Sequence, residues 1–566
     1  MAAWGSSTVK AERIPSEPIK KSKESEKRNM KKLVSRFMAV LMAMTMILSM
    51  SMTAFAAEAP KGTLTVNNTV AGKTLDLYQI FTATKNGDNV AYTLNSAYEG
   101  FFKTKVENGS SLSGEALSEA AYNYVKTQVG TDGSNGAAFA KDIMGWILGN
   151  TAIVEATHTT ATTTDTTTVI NNLDYGYYVV YPLGATDTST TPGNEAVKSV
   201  ASLVSVTGAD ATVNMKSNYP TVVKKVNEKN ADDVNIGDTV TYTLTSKVPD
   251  MTGYTSYVFN FKDTLSAGLT FKEITSVKVG ETTITKVDAG QEADNTYTLT
   301  QDGQNITITM NNFLASNAKK AGQEIKVTYT ATLNKNAVTG FDANKNSATV
   351  EYSNKPGTDN KGESKPSIVD VHTFNFTIFK YYLKDETKTG LANAEFELYK
   401  ANEAGDAADT NAKINIVKVK DGEYRQATSE EAAAEGFKSD VIVSGTNGKV
   451  LVKGLDAGTY YLRETKAPEG YNKLLSDIKV EIKASYDETT GKLTSYSVDY
   501  TYNGTTTTGT EIKDTTTSPE VAVENKTGAQ LPSTGSKGAL MVTLAGIVLF
   551  GALTASKAFG KKKANN

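Results

Sequence analysis

The chain of 566 residues contains no cysteine. Disulfides, thiol nucleophiles and thiolate metal sites are therefore excluded, and any covalent reinforcement has to come from other chemistry. Histidine is almost as scarce: His158 and His372 are the only two, and they lie in different segments. That argues against a Ser-His-Asp centre and against an imidazole-ligated metal, so no metal site is expected. No glycine-rich phosphate loop, EF-hand loop or paired-carboxylate motif is present either. The expectation is a protein that is not a conventional enzyme and needs no cofactor.

With 39% apolar and 21% charged residues the composition is that of folded, soluble material. At this length one hydrophobic core does not suffice, and three or four domains are expected. Abundant Thr, Val, Tyr and Gly with only 12 Pro favours β structure. The formal net charge of −3 hides an asymmetry. Residues 1–57 carry ten Lys or Arg against four Asp or Glu, and residues 535–566 carry five Lys and no acid, so the body between them holds about −14. Such a body is a poor ligand for nucleic acid and gains no attraction to anionic membrane.

Both ends carry address signals. Lys31, Lys32 and Arg36 precede an apolar run over 37–50, followed by Ala54-Phe55-Ala56. The run is short for a spanning helix, and Ala54 and Ala56 are the small residues a signal peptidase requires, so cleavage is expected there. Met30 serves equally well as a start. At the other end Leu531-Pro532-Ser533-Thr534-Gly535 precedes an apolar stretch over 539–555 and then Lys561, Lys562 and Lys563. An apolar helix with a basic stop holds a chain transiently in the membrane and presents the preceding pentapeptide outside it. This arrangement resembles the LPxTG cell-wall sorting signal. The resemblance implies that sortases, pilus-class and housekeeping, cut between Thr534 and Gly535 and pass the threonyl acyl group to an amine.

Three β-rich segments follow one another: 58–216, with helical pattern over 113–128 and 137–148 and a threonine-rich run over 159–168 read as an exposed loop; 217–370; and 371–528. Many short alternating strands separated by turn signals predict β-sandwiches in series. In the last segment Tyr460-Tyr461-Leu462-Arg463-Glu464-Thr465-Lys466-Ala467-Pro468-Glu469-Gly470-Tyr471 resembles the E-box of Gram-positive pilins, and the run from Leu391 to Tyr399 resembles the collagen-adhesin B-type (Cna-B) immunoglobulin-like fold. Together with the sorting signal, the chain is similar in plan to the major, or backbone, pilins of sortase-assembled pili. The resemblance implies an elongated, mainly β fold of tandem immunoglobulin-like sandwiches with some helix in the first, and a secreted, wall-attached fimbrial location. The partners it implies are identical subunits joined head to tail and peptidoglycan. The sequence names no host or matrix ligand.

Strand parity makes its own argument. Residues at i, i+2 and i+4 share a face. Phe374, Phe376 and Ile378 share theirs with Lys380; Tyr460 and Leu462 with Glu464; Val521 and Val523 with Asn525. A charged group on an apolar face is costly unless paired or neutralised. The family implies the resolution: an intramolecular isopeptide bond between Lys380 and Asn525, with ammonia leaving and Glu464 relaying protons. The middle segment repeats the pattern. Val222, Lys224 and Val226 share a face, as do Phe259, Phe261, Asp263 and Leu265, and Asn346, Ala348, Val350 and Tyr352. The expected set is Lys224 with Asn346, assisted by Asp263. The first segment offers no such set. The bland alternatives are a snorkelling lysine and a solvated edge strand.

A polymerising lysine must instead face solvent. Ala211, Val213 and Met215 face one way and Lys216 the other, just before Tyr219-Pro220. Lys216 resembles by position the lysine of the pilin motif, although Asn214-Met215 stands where Tyr-Pro is usual; Lys224 and Lys225 are the fallback acceptors. A wall-anchored adhesin or accessory subunit that never polymerises is the competing expectation, and it would not need Lys216.

Overall fold

The computed structural model describes residues 60–130, 136–161, 163, 165–186, 200–215 and 218–527. Ala54, Ala56, Lys216, the pentapeptide Leu531-Pro532-Ser533-Thr534-Gly535 and the apolar stretch 539–555 lie outside the described residues. The chain is mainly β, and no sheet draws strands from more than one of three consecutive regions.

In the first region the strand Leu75–Asn86 is buried along its whole leading half, not at alternate positions. The reason is that it lies in a middle layer. Leu75 and Leu77 pack towards the small sheet formed by Lys61–Asn67, Thr167–Asp174 and Ala211–Asn214, while Tyr78 and Ile80 pack towards the helices. The helix Gly114–Val129 offers Leu117, Ala121 and Val125 at four-residue spacing, which places them on one stripe. A second helix, Gly136–Gly149, buries Phe139, Ile143 and Ile147 in the same way.

Most described residues of the threonine-rich run 159–168 are exposed, as expected, but its ends are strand: Thr159 closes His158–Thr159, and Thr167 and Thr168 open Thr167–Asp174. Thr163 is buried, and its hydroxyl lies 2.6 Å from the Val70 carbonyl and 2.9 Å from the Lys73 carbonyl. Thr163 is the exception to that exposure, and its hydroxyl bonds to a neighbouring turn account for its burial.

The second region is a sandwich of an eight-stranded and a five-stranded sheet. The edge of the smaller sheet is Val223–Val226, next to Thr239–Lys247, with Leu244 opposite Lys224. The third region is a sandwich of six and seven strands, in which Phe374–Lys384 runs parallel to Glu520–Glu524. Each sandwich encloses its own apolar core.

The second and third regions are hydrogen-bonded to each other. Ile236 N–H donates to Gly454 O at 3.0 Å, Asp456 N–H to Asn235 Oδ1 at 3.1 Å, and Tyr486 O–H to Asp233 Oδ2 at 2.7 Å. Gly454 has φ +90°, and a Cβ there would meet Ile236 Cδ1 at 2.6 Å, so the close approach requires glycine. Between the first and second regions, the Lys73 amine donates to Tyr352 Oη at 2.5 Å and to Glu363 O at 2.9 Å.

Candidate cross-linking sites

All six residues singled out by strand parity are buried, none more than 2% exposed: Lys224, Asp263 and Asn346 in the second sandwich, and Lys380, Glu464 and Asn525 in the third. In the second, Lys224 comes from the edge strand, while Asp263 and Asn346 come from neighbouring strands of the facing sheet, Phe259–Leu265 and Asn344–Ser353. Lys224 is thus on an edge but not solvated. Val223 points outward and is 53% exposed, whereas Lys224 points between the sheets.

The Lys224 amine is paired with Asp263 Oδ2 and stands 2.7 Å from Tyr329 Oη. It lies 4.9 Å and 5.1 Å from the ring centres of Tyr242 and Tyr329, which stack on each other. Tyr329 O–H donates to Asp263 Oδ2 at 2.8 Å, and Asn346 Nδ2 donates to Tyr329 Oη at 2.7 Å. Among the described residues Asn346 Oδ1 and Asp263 Oδ1 have no hydrogen-bond partner.

In the third sandwich Lys380 lies in Phe374–Lys384, Asn525 immediately follows the adjacent parallel strand Glu520–Glu524, and Glu464 faces them from the opposite sheet. Lys380 Nζ is 3.1 Å from Glu464 Oε1. That is close enough for ion-pair attraction but off the ideal direction of a hydrogen bond, and among the described residues the amine makes no well-aligned one. Glu464 Oε2 accepts from Leu474 N–H at 2.7 Å and from Asn525 Nδ2 at 3.4 Å. Asn525 Nδ2 also donates to Asn472 O at 2.6 Å, and Asn525 Oδ1 is unpartnered.

Taking an amine and a carboxylate out of water costs several kcal/mol per ion, and an unpartnered buried acceptor costs about 1–3 kcal/mol more. Burial lowers the Lys224 amine to about 8 against the opposing pull of Asp263, and lowers Lys380 to about 8 against Glu464. Lowered amines are better nucleophiles at neutral pH because more of the population is uncharged. Each site therefore presents an amine, a carboxamide and a carboxyl group in one dry pocket. Condensing amine with amide would remove the buried cation altogether.

Sequence reading did not single out Tyr329 and Tyr242. Both follow the apolar alternation of their strands and read as core aromatics, although a buried phenol signals the need for a partner. The fallback assignment of Lys224 as an exposed acceptor is corrected: with the amine buried between the sheets, no second protein could reach it. Lys225 is half-buried and donates to Asn230 Oδ1 at 2.6 Å. His372 is buried, and among the described residues no group of three or more His, Asp or Glu is placed to hold a metal.

The buried amines give a linkage test. A lysine whose folded value lies below its unfolded value of about 10.4 binds its proton less readily when folded. Between pH 8 and 9.5 the unfolded chain then holds more protons, so stability rises with pH. In an Asn346→Ala/Asn525→Ala chain both amines stay free. Relative to wild type, whose amide nitrogens would not titrate, its unfolding free energy should climb by on the order of 1–3 kcal/mol across that window. Parallel curves from urea unfolding would contradict this.

Two successive sandwiches thus each enclose a lysine, an acid and an asparagine together. Residues 236–356 match the family model described as Gram-positive pilin backbone subunit 2, Cna-B-like domain, and residues 438–496 match the SpaA prealbumin-like fold domain. Over these two segments the chain is similar to the domains of Gram-positive pilin backbone subunits. Asp263, Asn346 and Glu464 fall within the matched segments, and Lys224, Lys380 and Asn525 fall outside them.

Among curated proteins, the chain is 26% identical over 322 residues to the trypsin-resistant surface T6 protein of Streptococcus pyogenes serotype M6, covering 51% of this chain and 50% of that one. It is 28% identical over 280 residues to fimbrial subunit type 2 of Actinomyces naeslundii, covering 46% and 50%. The chain thus spans about half the length of the curated relatives it matches. Among solved structures, the T6 backbone pilin of S. pyogenes serotype M6 aligns over 84% of this chain and 100% of its own, at 18% identity and a TM-score of 0.44.

Proposed function

We propose that the protein is the structural shaft subunit of a covalent surface pilus, stapled internally by Lys224–Asn346 and Lys380–Asn525 isopeptide bonds. The observation that carries the reading is the recurrence, in two successive sandwiches, of a fully buried lysine, acid and asparagine brought together from three strands. In each bond the neutral lysine amine attacks the asparagine Cγ, a C–N bond forms, and the amide nitrogen leaves as ammonia. Asp263 or Glu464 moves the proton between the two nitrogens. The reaction turns over once per domain, so the chain is its own substrate and not a conventional enzyme.

Assembly follows from the two kinds of lysine. Those enclosed in a sandwich are consumed within it, and Lys216 accepts the threonyl carboxyl of Thr534 from an identical subunit, delivered by a pilus-class sortase. A housekeeping sortase then passes the finished polymer to peptidoglycan. The secreted subunit, released from its membrane-held tail, ends at the cell surface as part of a fimbrium and supports adhesion there. The matched families are structural pilin domains, which favours this reading over a surface hydrolase.

A denaturing gel of wall extracts tests the assembly. A ladder of high-mass species is expected from wild type, and Lys216→Ala should collapse it to monomer while the folded subunit persists. One discrete wild-type band would instead mark a wall-anchored adhesin that does not polymerise. A ladder that survives Lys216→Ala would move the acceptor elsewhere, and peptide mapping of the linked species would find it.

A further inference from the structure

The two sites solve one geometric problem differently. In the third sandwich a single carboxyl group reaches both reactants: Glu464 Oε1 is 3.1 Å from Lys380 Nζ, and Oε2 is 3.4 Å from Asn525 Nδ2. Asp263 is one methylene shorter. Its Oδ2 meets the Lys224 amine, while among the described residues its Oδ1 meets no hydrogen-bonding group and the Asn346 amide nitrogen bonds to Tyr329 Oη. The phenol of Tyr329 occupies the gap, 2.8 Å from Asp263 Oδ2, 2.7 Å from Lys224 Nζ and 2.7 Å from Asn346 Nδ2. It is the one hydroxyl touching all three members.

We propose that Tyr329 is a catalytic residue of the Lys224–Asn346 reaction, relaying a proton from Asp263 to the departing amide nitrogen, so that Asp263 and Tyr329 together do what Glu464 does alone. This rests on the cross-linking reading above. Lys224 Nζ attacks Asn346 Cγ and gives a proton to Asp263. As the carbon becomes tetrahedral, Asn346 Nδ2 regains a lone pair and changes from donor to acceptor. The phenol proton passes to Nδ2 while the proton on Asp263 passes to the phenol oxygen. The Cγ–Nδ2 bond breaks, ammonia leaves, and the Lys224–Asn346 amide remains with Asp263 and Tyr329 as they began. Burial and the adjacent Asp263 hold the Tyr329 phenol well above its ordinary value, so it resists simple ionisation and acts only by exchanging protons.

The test is cell-free synthesis of the full chain with time-resolved peptide mapping, which reads the two bonds separately. Tyr329→Phe keeps the ring stacked on Tyr242 and removes only the hydroxyl. Formation of the Lys224–Asn346 bond should slow about 100-fold, as expected for loss of a positioned acid–base group, with the Lys380–Asn525 bond forming at its wild-type rate. Tyr329→Phe/Asp263→Glu should recover the bond, because the longer acid reaches both nitrogens.

A wild-type rate in Tyr329→Phe, with the bond present in wild type, would overturn the inference and leave the cross-link standing. A wild-type chain without that bond would remove both. Measured before its bond has formed, the heat midpoint of Tyr329→Phe should equal that of Asn346→Ala, the bondless reference. A midpoint far below it would make the hydroxyl a structural group and overturn the inference.

Discussion

Glu464→Gln is expected to leave the mature body one ammonia heavier than wild type and to lower the melting temperature of the third sandwich by about 10–20 °C. The substitution keeps the shape of the side chain, so little packing is lost. What it removes is the acid whose two oxygens lie against Lys380 and Asn525. The magnitude follows from loop closure. A cross-link between residues 380 and 525 encloses almost the whole domain, and a covalent loop of that length removes about 5 kcal/mol of unfolded-chain entropy. For a domain of roughly 150 residues, each kcal/mol moves the midpoint by about 2–4 °C. Intact mass with calorimetry on the body from residue 60 to residue 527 checks both halves. A wild-type mass equal to that of the sequence would end the cross-linking reading for both sandwiches.

Under tension the two sandwiches should behave differently. Lys380 lies in the first strand of the third sandwich and Asn525 immediately follows the last, which runs parallel beside it, so the proposed bond would carry load past nearly everything between them. In the second sandwich Asn346 is followed by Lys361–Glu363 and Ser367–His372, which stay outside the loop closed to Lys224. Pulled between residues 218 and 527, wild type should lengthen by no more than about 90 Å, the extended span of residues 347–373. An Asn346→Ala chain should release about 500 Å from the same sandwich. Single-molecule force spectroscopy separates these lengths, and a wild-type step of the larger size would contradict the closed loop. Under the proposed linkage at Lys216 the load enters after the first region, so that region needs no staple. The sequence offered none there.

Period-two alternation was enough to place Lys224, Lys380, Asp263, Glu464, Asn346 and Asn525 on the apolar faces of their strands, because a strand sends successive side chains to opposite sides whatever its neighbours are. Alternation says nothing about which strands face each other. Ile325, Val327, Tyr329 and Ala331 form an unbroken buried row, and within that row Tyr329 is indistinguishable from a packing residue. Its role emerges only once the strand Glu324–Leu333 pairs with Thr239–Lys247 and the facing sheet delivers Asp263 and Asn346 to its hydroxyl.

Thr163 marks the converse limit, since composition predicted solvent along its run and a neighbouring turn supplied this one residue with partners. Likewise the double-sided burial of Leu75–Asn86 depends on helices and a second sheet brought in from distant segments.

The sequence by itself determined the β character, the charged and apolar ends, and the inward sense of Lys224 and Lys380, since all of these depend on local spacing and side-chain chemistry. Only the tertiary structure decided which amine meets which amide, that an aspartate needs a tyrosine where a glutamate does not, and how much chain each bond encloses. Those are matters of distances across a sandwich, and the path of one strand does not set where the opposing sheet will lie.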